Sequence, residues 1–204
     1  AEAPGRAPFD AGACAMVEDL RPAVVSFHFG LPAAELLARV KATGAQVMSS
    51  ATTVAEARWL AAHGADVIIA QGYEAGGHRG MFLDDDLSRQ PGTFALVPQV
   101  VDAVDLPVIA AGGIADGRGI AAALALGAAG VQIGTAYLAT SEATISDLHR
   151  TALAEASDDA SQITNLFSGK PARGLSTRVM REIGPLSDDT PPFPTAGGAL
   201  APLK

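Results

Sequence analysis

The 204-residue sequence is 49% hydrophobic and 18% charged, with a formal net charge of −8. That balance buries a core and excludes a disordered chain. The acidic excess excludes a general nucleic-acid surface, which needs a basic face, but not a small anion held at a helix N-terminus. The length predicts one domain, at about 100–200 residues per domain. No apolar run reaches the ~20 residues of a membrane span. The single cysteine, Cys14, permits no intrachain disulfide and fits a cytoplasmic protein. A first residue of Ala rather than Met predicts a processed start or a piece of a longer chain.

Taken in chain order, an N-terminal helix carries Cys14, expected buried or half-buried. Five short apolar runs then read as strands: Ala23–Gly30, Gln46–Thr53, Ala65–Gly72, Pro107–Gly113 and Gly130–Leu138. They lack period-two alternation, as strands covered on both faces do. Amphipathic stretches separate them, at Ala33–Thr43, Val54–His63, Phe94–Val104 and Gly117–Leu126. Alternating strand and helix predicts a parallel sheet with right-handed crossovers. Three helices end in the same dipeptide, Gly44-Ala45, Gly64-Ala65 and Gly127-Ala128. A glycine just past a helix adopts the left-handed conformation that closes off the last carbonyls. Such units occur in α/β barrels and in open doubly wound sheets alike.

Two stretches break the rhythm. A long loop, about Tyr73 to Thr93, follows the third strand, and long loops inside compact domains are usually functional. After a last helix at about Ala143–Ala156 the chain turns proline-rich. Residues 1–156 are therefore expected to form the α/β domain, with 157–204 as an extension wrapping on it.

The fourth and fifth strands end in Gly112-Gly113 and Gly134-Thr135, each opening a helix, the first with Asp116 as N-cap. Glycine lets backbone amides approach a phosphate without an intervening Cβ. In α/β barrels a phosphate site often follows strands seven and eight. On that numbering the chain starts just before strand four.

The sharpest signal is Gln71–Gly80, QGYEAGGHRG. A histidine among glycines at the carboxyl end of a barrel strand stands at the active-site mouth. Imidazole as a group titrates near neutrality, so His78 is expected to take a proton or stabilise an anion. Gly76 and Gly77 predict close approach to a planar ligand, and Gln71 offers a donor and an acceptor. His28 is expected to point into the barrel or pack under a helix, His63 to end a helix, and His149 to be solvated. Asp84-Asp85-Asp86 reads as a solvated run, and no spacing predicts a metal site. Glu74 reads as a second acid or a partner of Arg79. Ser49, Ser50, Thr52 and Thr53 read as ligand donors or helix caps, and Lys170, Arg173, Arg178 and Arg181 as surface charges.

These residues resemble a known family. QGYEAGGHRG is similar to the signature loop of the nitronate monooxygenases. Val108–Leu138 resembles that family's second flavin motif, and Val24–Pro32 (VVSFHFGLP) and Phe167–Glu182 (FSGKPARGLSTRVMRE) are similar to further family segments. The resemblance implies a (β/α)8 TIM-barrel fold, with this chain covering about strands 4–8 plus a C-terminal tail. It implies one bound FMN, contacted at Gln71 and Gly76, with its phosphate held at Gly112, Gly113, Gln132, Ile133, Gly134 and Thr135. It implies His78 as the base or electrostatic partner of the substrate. The implied reaction oxidises alkyl nitronates, such as propionate 3-nitronate, with O2 to a carbonyl compound and nitrite. The implied partners are that substrate and O2, with a second copy or a complementing chain segment supplying the absent strands. Two alternatives remain: an FMN- and NAD(P)H-dependent enoyl-acyl-carrier-protein reductase, which shares the AGGH loop, and an inactive truncated barrel.

Overall fold

A computed structural model describes residues 8–199. In chain order the elements begin with α1 (Ala11–Leu20), β1 (Val24–Phe27), α2 (Ala34–Ala42), β2 (Gln46–Ala51), α3 (Val54–Ala62) and β3 (Val67–Gln71). Then come β4 (Gly77–His78), α4 (Thr93–Val101), β5 (Val108–Ala111), α5 (Gly117–Ala125) and β6 (Gly130–Gln132). The chain continues through α6 (Asp147–Glu155), β7 (Ser161–Thr164), β8 (Ala172–Leu175), α7 (Arg178–Ile183) and α8 (Ala196–Ala199). Single 3-10 turns lie at Leu87–Arg89 and Thr135–Ala139. Among these residues there are two compact units, a larger one of residues 8–74 and 80–133 and a smaller one of 75–79 and 134–199.

The larger unit is a five-stranded parallel sheet in the order β1-β2-β3-β5-β6. Every connection contains a helix, the usual crossover between parallel neighbours. Val25, Val47, Ile68, Ala70, Val108 and Ala110 share one face of the sheet and meet residues of the helices, among them Leu37, Leu60, Leu96 and Ala123. The other face carries Ser26, Ser50, Gln71 and Gln132, and on β1 both Val24 and Ser26 are exposed. Helices lie against one face only, which is the barrel arrangement and not the doubly wound one. The fold is α/β of the (β/α)8-barrel type.

Local chemistry sets the boundaries. Gly64 (φ 104°) and Gly127 (φ 92°) are left-handed, and the amides of Ala65 and Ala128 reach back to Leu60 O and Ala123 O at 3.0 and 3.1 Å. This is the glycine-terminated helix end that the Gly-Ala dipeptides predict. Thr53 caps α3 through the Glu56 amide, and Asp116 caps α5 through the Arg118 and Gly119 amides. Cys14 is fully buried on α1, beside Leu37 and Val40 of α2.

The fifth strand is shorter than the expected Gly130–Leu138. It stops at Gln132, because Gly134 (φ −108°, ψ −81°) leaves the extended region and the chain turns into the 3-10 segment. The helix expected at about 143–156 starts at Asp147, where the Ser146 hydroxyl accepts from the His149 amide, and α7 and α8 follow it.

The smaller unit has a three-stranded antiparallel sheet in the order β4-β8-β7. Its pairs include His78↔Ala172 and Thr164↔Ala172. Ile163, Leu166 and Met180 are buried. Asn165 ties down a returning segment, donating to Ser187 O at 2.9 Å and accepting from the Ser187 amide at 3.1 Å.

Candidate active site

In the larger unit, register brings three strand ends level. Gln71 pairs with Ala111, and Ala111 pairs with Gln132. Residues paired across parallel strands point to the same face, so Gln71 and Gln132 stand on the face the helices leave open. Gln71 is 7% exposed, and its Oε1 accepts from the Gly80 amide at 2.7 Å. That bond ties Gly80, one residue after Arg79, to the end of β3.

The glycines beyond these ends have distinct reasons. A Cβ on Gly72 would lie 1.9 Å from Thr93 Oγ1 and 2.4 Å from Thr93 backbone atoms, so glycine there admits the start of α4. Gly113 is exposed at φ +66°, a conformation that side chains with a Cβ rarely take. Glu74 accepts from the amide and hydroxyl of Thr93, each at 2.8 Å, and that hydroxyl also lies 2.9 Å from Gly112 O. The acid at 74 thus braces the strand end carrying Gly112-Gly113.

His28 continues β1 beside Ser50, on the open face. It is exposed, with Nδ1 3.1 Å from Ser50 Oγ. His63 stacks on Trp59 with ring centroids 3.9 Å apart. Ser49 donates to Gly30 O, Thr52 to Glu56, and Thr53 caps α3. Asp84 pairs with Arg89, and Asp86 caps the 3-10 turn. Among the described residues no group of His, Cys, Asp or Glu has the arrangement of a metal site.

In the smaller unit, Gly76 lies against Thr135: a Cβ at 76 would meet Thr135 Oγ1 at 2.6 Å. The loop glycine and the Gly134-Thr135 turn, nearly sixty residues apart in sequence, are therefore neighbours. His78 is half-buried on β4, with Nε2 2.7 Å from Ser168 Oγ. The Phe193 ring stands edge-on to it, at 5.7 Å and 82°. The Arg79 amide donates to Pro171 O at 2.8 Å, and Arg79 is fully buried.

Two expected surface charges are corrected. Lys170 and Arg173 are half-buried, because Arg173 lies on β8, paired with Gly77 of β4, and Lys170 leads into that strand. Lys170 Nζ lies 5.8 Å from the Phe193 ring centroid, and Arg173 reaches Ser161 Oγ at 3.2 Å. Arg178, Arg181 and His149 are exposed, as expected.

Three residues at or behind the site escaped sequence reasoning. Ser168 and Phe193 touch the histidine from the tail. Ser168 lies within FSGKPARG, but nothing in its spacing reveals a partner ninety residues earlier. The third, Glu56, is 1% exposed and accepts from Thr52 N, Thr52 Oγ1 and Phe82 N at 2.7 Å each, and from Leu83 N at 3.2 Å. Its signal was available: Thr53-x-x-Glu56 is a capping-box pattern.

The nitronate monooxygenase family profile matches residues 6–204. The chain belongs to the nitronate monooxygenase family. It is 46% identical over 173 residues to a probable nitronate monooxygenase of Staphylococcus aureus strain Newman, covering 84% of this chain and 48% of that protein. A probable nitronate monooxygenase of Staphylococcus saprophyticus is 42% identical over 172 residues, covering 83% and 48%. Among solved structures, the nitroalkane oxidase of Streptomyces ansochromogenes superposes with a TM-score of 0.80 at 46% identity, over 85% of this chain and 50% of that one. FabK of Thermotoga maritima superposes with a TM-score of 0.74 at 36% identity, over 88% and 54%. The chain spans about half the length of these nitronate monooxygenase relatives. None of its described helices is long and apolar enough to cross a membrane.

Proposed function

We propose that this chain is the FMN-phosphate-binding and base-bearing part of an enzyme that oxidises alkyl nitronates, such as propionate 3-nitronate, with O2 to a carbonyl compound and nitrite. The observation that carries the reading is His78, held on β4 within the glycine loop and hydrogen-bonded to Ser168 at 2.7 Å. Family membership supplies the reaction class.

The residues present suit FMN. Gly113 has the left-handed backbone of a close approach, and a Cβ on Gly134 would meet nothing within 4 Å. The family resemblance assigns the phosphate to Gly112, Gly113, Gly134 and Thr135. Gln132 and Ile133 lead into that turn. Gln71 and Gly76 are assigned to the ring system. Bound FMN supplies the one-electron chemistry and the reaction with O2. The chain's own residues bind and orient it, and His78 takes or stabilises charge at the substrate. We infer a cytoplasmic enzyme whose partners are the small substrate and O2, with no role for nucleic acid or a membrane.

The test is a visible absorption spectrum of the chain after soaking with FMN, before and after anaerobic addition of propionate 3-nitronate. Retained flavin bands that change on addition support the reading. Failure to retain FMN contradicts it for this chain. Bleaching by NADH but not by the nitronate would favour the enoyl-acyl-carrier-protein reductase instead.

A further inference from the structure

Ser168 is 9% exposed, and its hydroxyl has three close partners. His78 Nε2 lies at 2.7 Å, Lys170 O at 3.1 Å and Lys170 N at 3.3 Å. A hydroxyl offers one proton and two lone pairs. The Lys170 amide can only donate, so it takes one lone pair. The Lys170 carbonyl can only accept, so it takes the hydroxyl proton. The remaining lone pair faces His78 Nε2, which must then carry a hydrogen. Turning the hydroxyl proton toward the imidazole instead would leave two oxygen lone pairs facing each other at 3.1 Å.

We propose that Ser168 is a positioning residue that fixes neutral His78 as the Nε2–H tautomer, so that proton uptake occurs at Nδ1. The second partner of a functional histidine commonly decides which ring nitrogen is basic. The ring is restrained against turning over. Its backbone is paired at His78↔Ala172, and the Phe193 edge stands against it. Arg79, next to His78 in sequence, and Lys170 and Arg173, before and on the strand paired with it, are all cationic. The consequence for catalysis, that Nδ1 is the nitrogen that accepts the substrate's proton, rests on the nitronate reading. The tautomer itself does not.

The test is 15N NMR of the histidine rings in the chain alone, about two pH units above the ordinary imidazole value of ~6.5. The wild type should show a protonated Nε2 with an observable, slowly exchanging N–H, and an unprotonated Nδ1. Ser168→Ala should lose the slow N–H signal and show averaged ring shifts, and Ser168→Thr should restore both. The Arg79 amide, bonded to Pro171 O, reports whether β4 is still paired in each variant. A proton on Nδ1 in the wild type would overturn the proposal even if neither variant folds. So would a folded Ser168→Ala variant with wild-type ring signals. Failure to retain FMN would overturn the proposed function and leave this result standing.

Discussion

Replacing Glu56 with alanine tests how the reactive loop is anchored. The Glu56 carboxylate accepts from Thr52 N and Oγ1 on one side, and from Phe82 N and Leu83 N on the other. It thereby fastens the segment leaving the histidine loop to the start of α3. Glu56 is 1% and Thr52 0% exposed, so water cannot replace the lost acceptor at the Thr52 amide. A buried donor left without a partner costs about 1–3 kcal/mol, and bonds to a charged acceptor are at the upper end of the hydrogen-bond range. With two amides orphaned, Glu56→Ala should cost about 3–5 kcal/mol. At a urea m-value of ~2 kcal/mol/M, the unfolding midpoint falls by roughly 1.5–2.5 M with m unchanged. Hydrogen exchange at Phe82 and Leu83 should accelerate in the same variant. Glu56→Gln should not rescue it, since its NH2 group would face donors where the carboxylate presents oxygen. A midpoint within about 0.5 M of wild type, corresponding to ~1 kcal/mol, with unchanged exchange at Phe82, would refute the anchoring role.

Three other outcomes follow from the same geometry. Gly72→Ala drives a Cβ into Thr93 backbone; a cost of about 3 kcal/mol would lower the melting temperature by roughly 6–12 °C, and calorimetry would read it. Gly134→Ala meets nothing within 4 Å and should leave stability within about 0.5 kcal/mol, while gel-filtered samples retain less FMN; unchanged retention would remove Gly134 from the phosphate site. Burial raises the Asp66 pKa, but the Lys41 ammonium at 2.7 Å and the Val47 amide outweigh it, leaving the value below the ordinary carboxylate range. A depressed carboxylate contributes stability above its unfolded pKa and loses it as pH falls through the folded one. Asp66→Asn should therefore cost about 0.5–1 kcal/mol at neutral pH and flatten acid unfolding below the ordinary carboxylate pKa of ~3.9, as read by denaturation at a series of pH values.

What was legible in the sequence was what is local. The five parallel strands carry their own apolar runs, and the Gly-Ala dipeptides mark helix ends because only glycine takes the backbone angle needed there. Asp116 and Thr53 announce their helices, since a cap acts two or three residues away. The missing alternation said less: apolar runs such as Val67–Ala70 signal burial without saying which layer supplies it.

The environment of His78 was illegible for a different reason. A strand of two residues, Gly77–His78, has no period to read, and the loop glycines argue against a strand at all. What makes it one is β8, almost a hundred residues later, in a stretch that reads as proline-rich connection. The pairing His78↔Ala172 turns the Ser168–Lys170 turn toward the imidazole. Gly169, at φ +89°, lies where a Cβ would meet Phe193 N at 2.4 Å, so the turn holding Ser168 and the ring flanking His78 constrain each other. The histidine stood out as a candidate because glycines surround it. The groups that would decide which of its nitrogens reacts are supplied by the tail, through backbone pairing that leaves no side-chain pattern in the sequence.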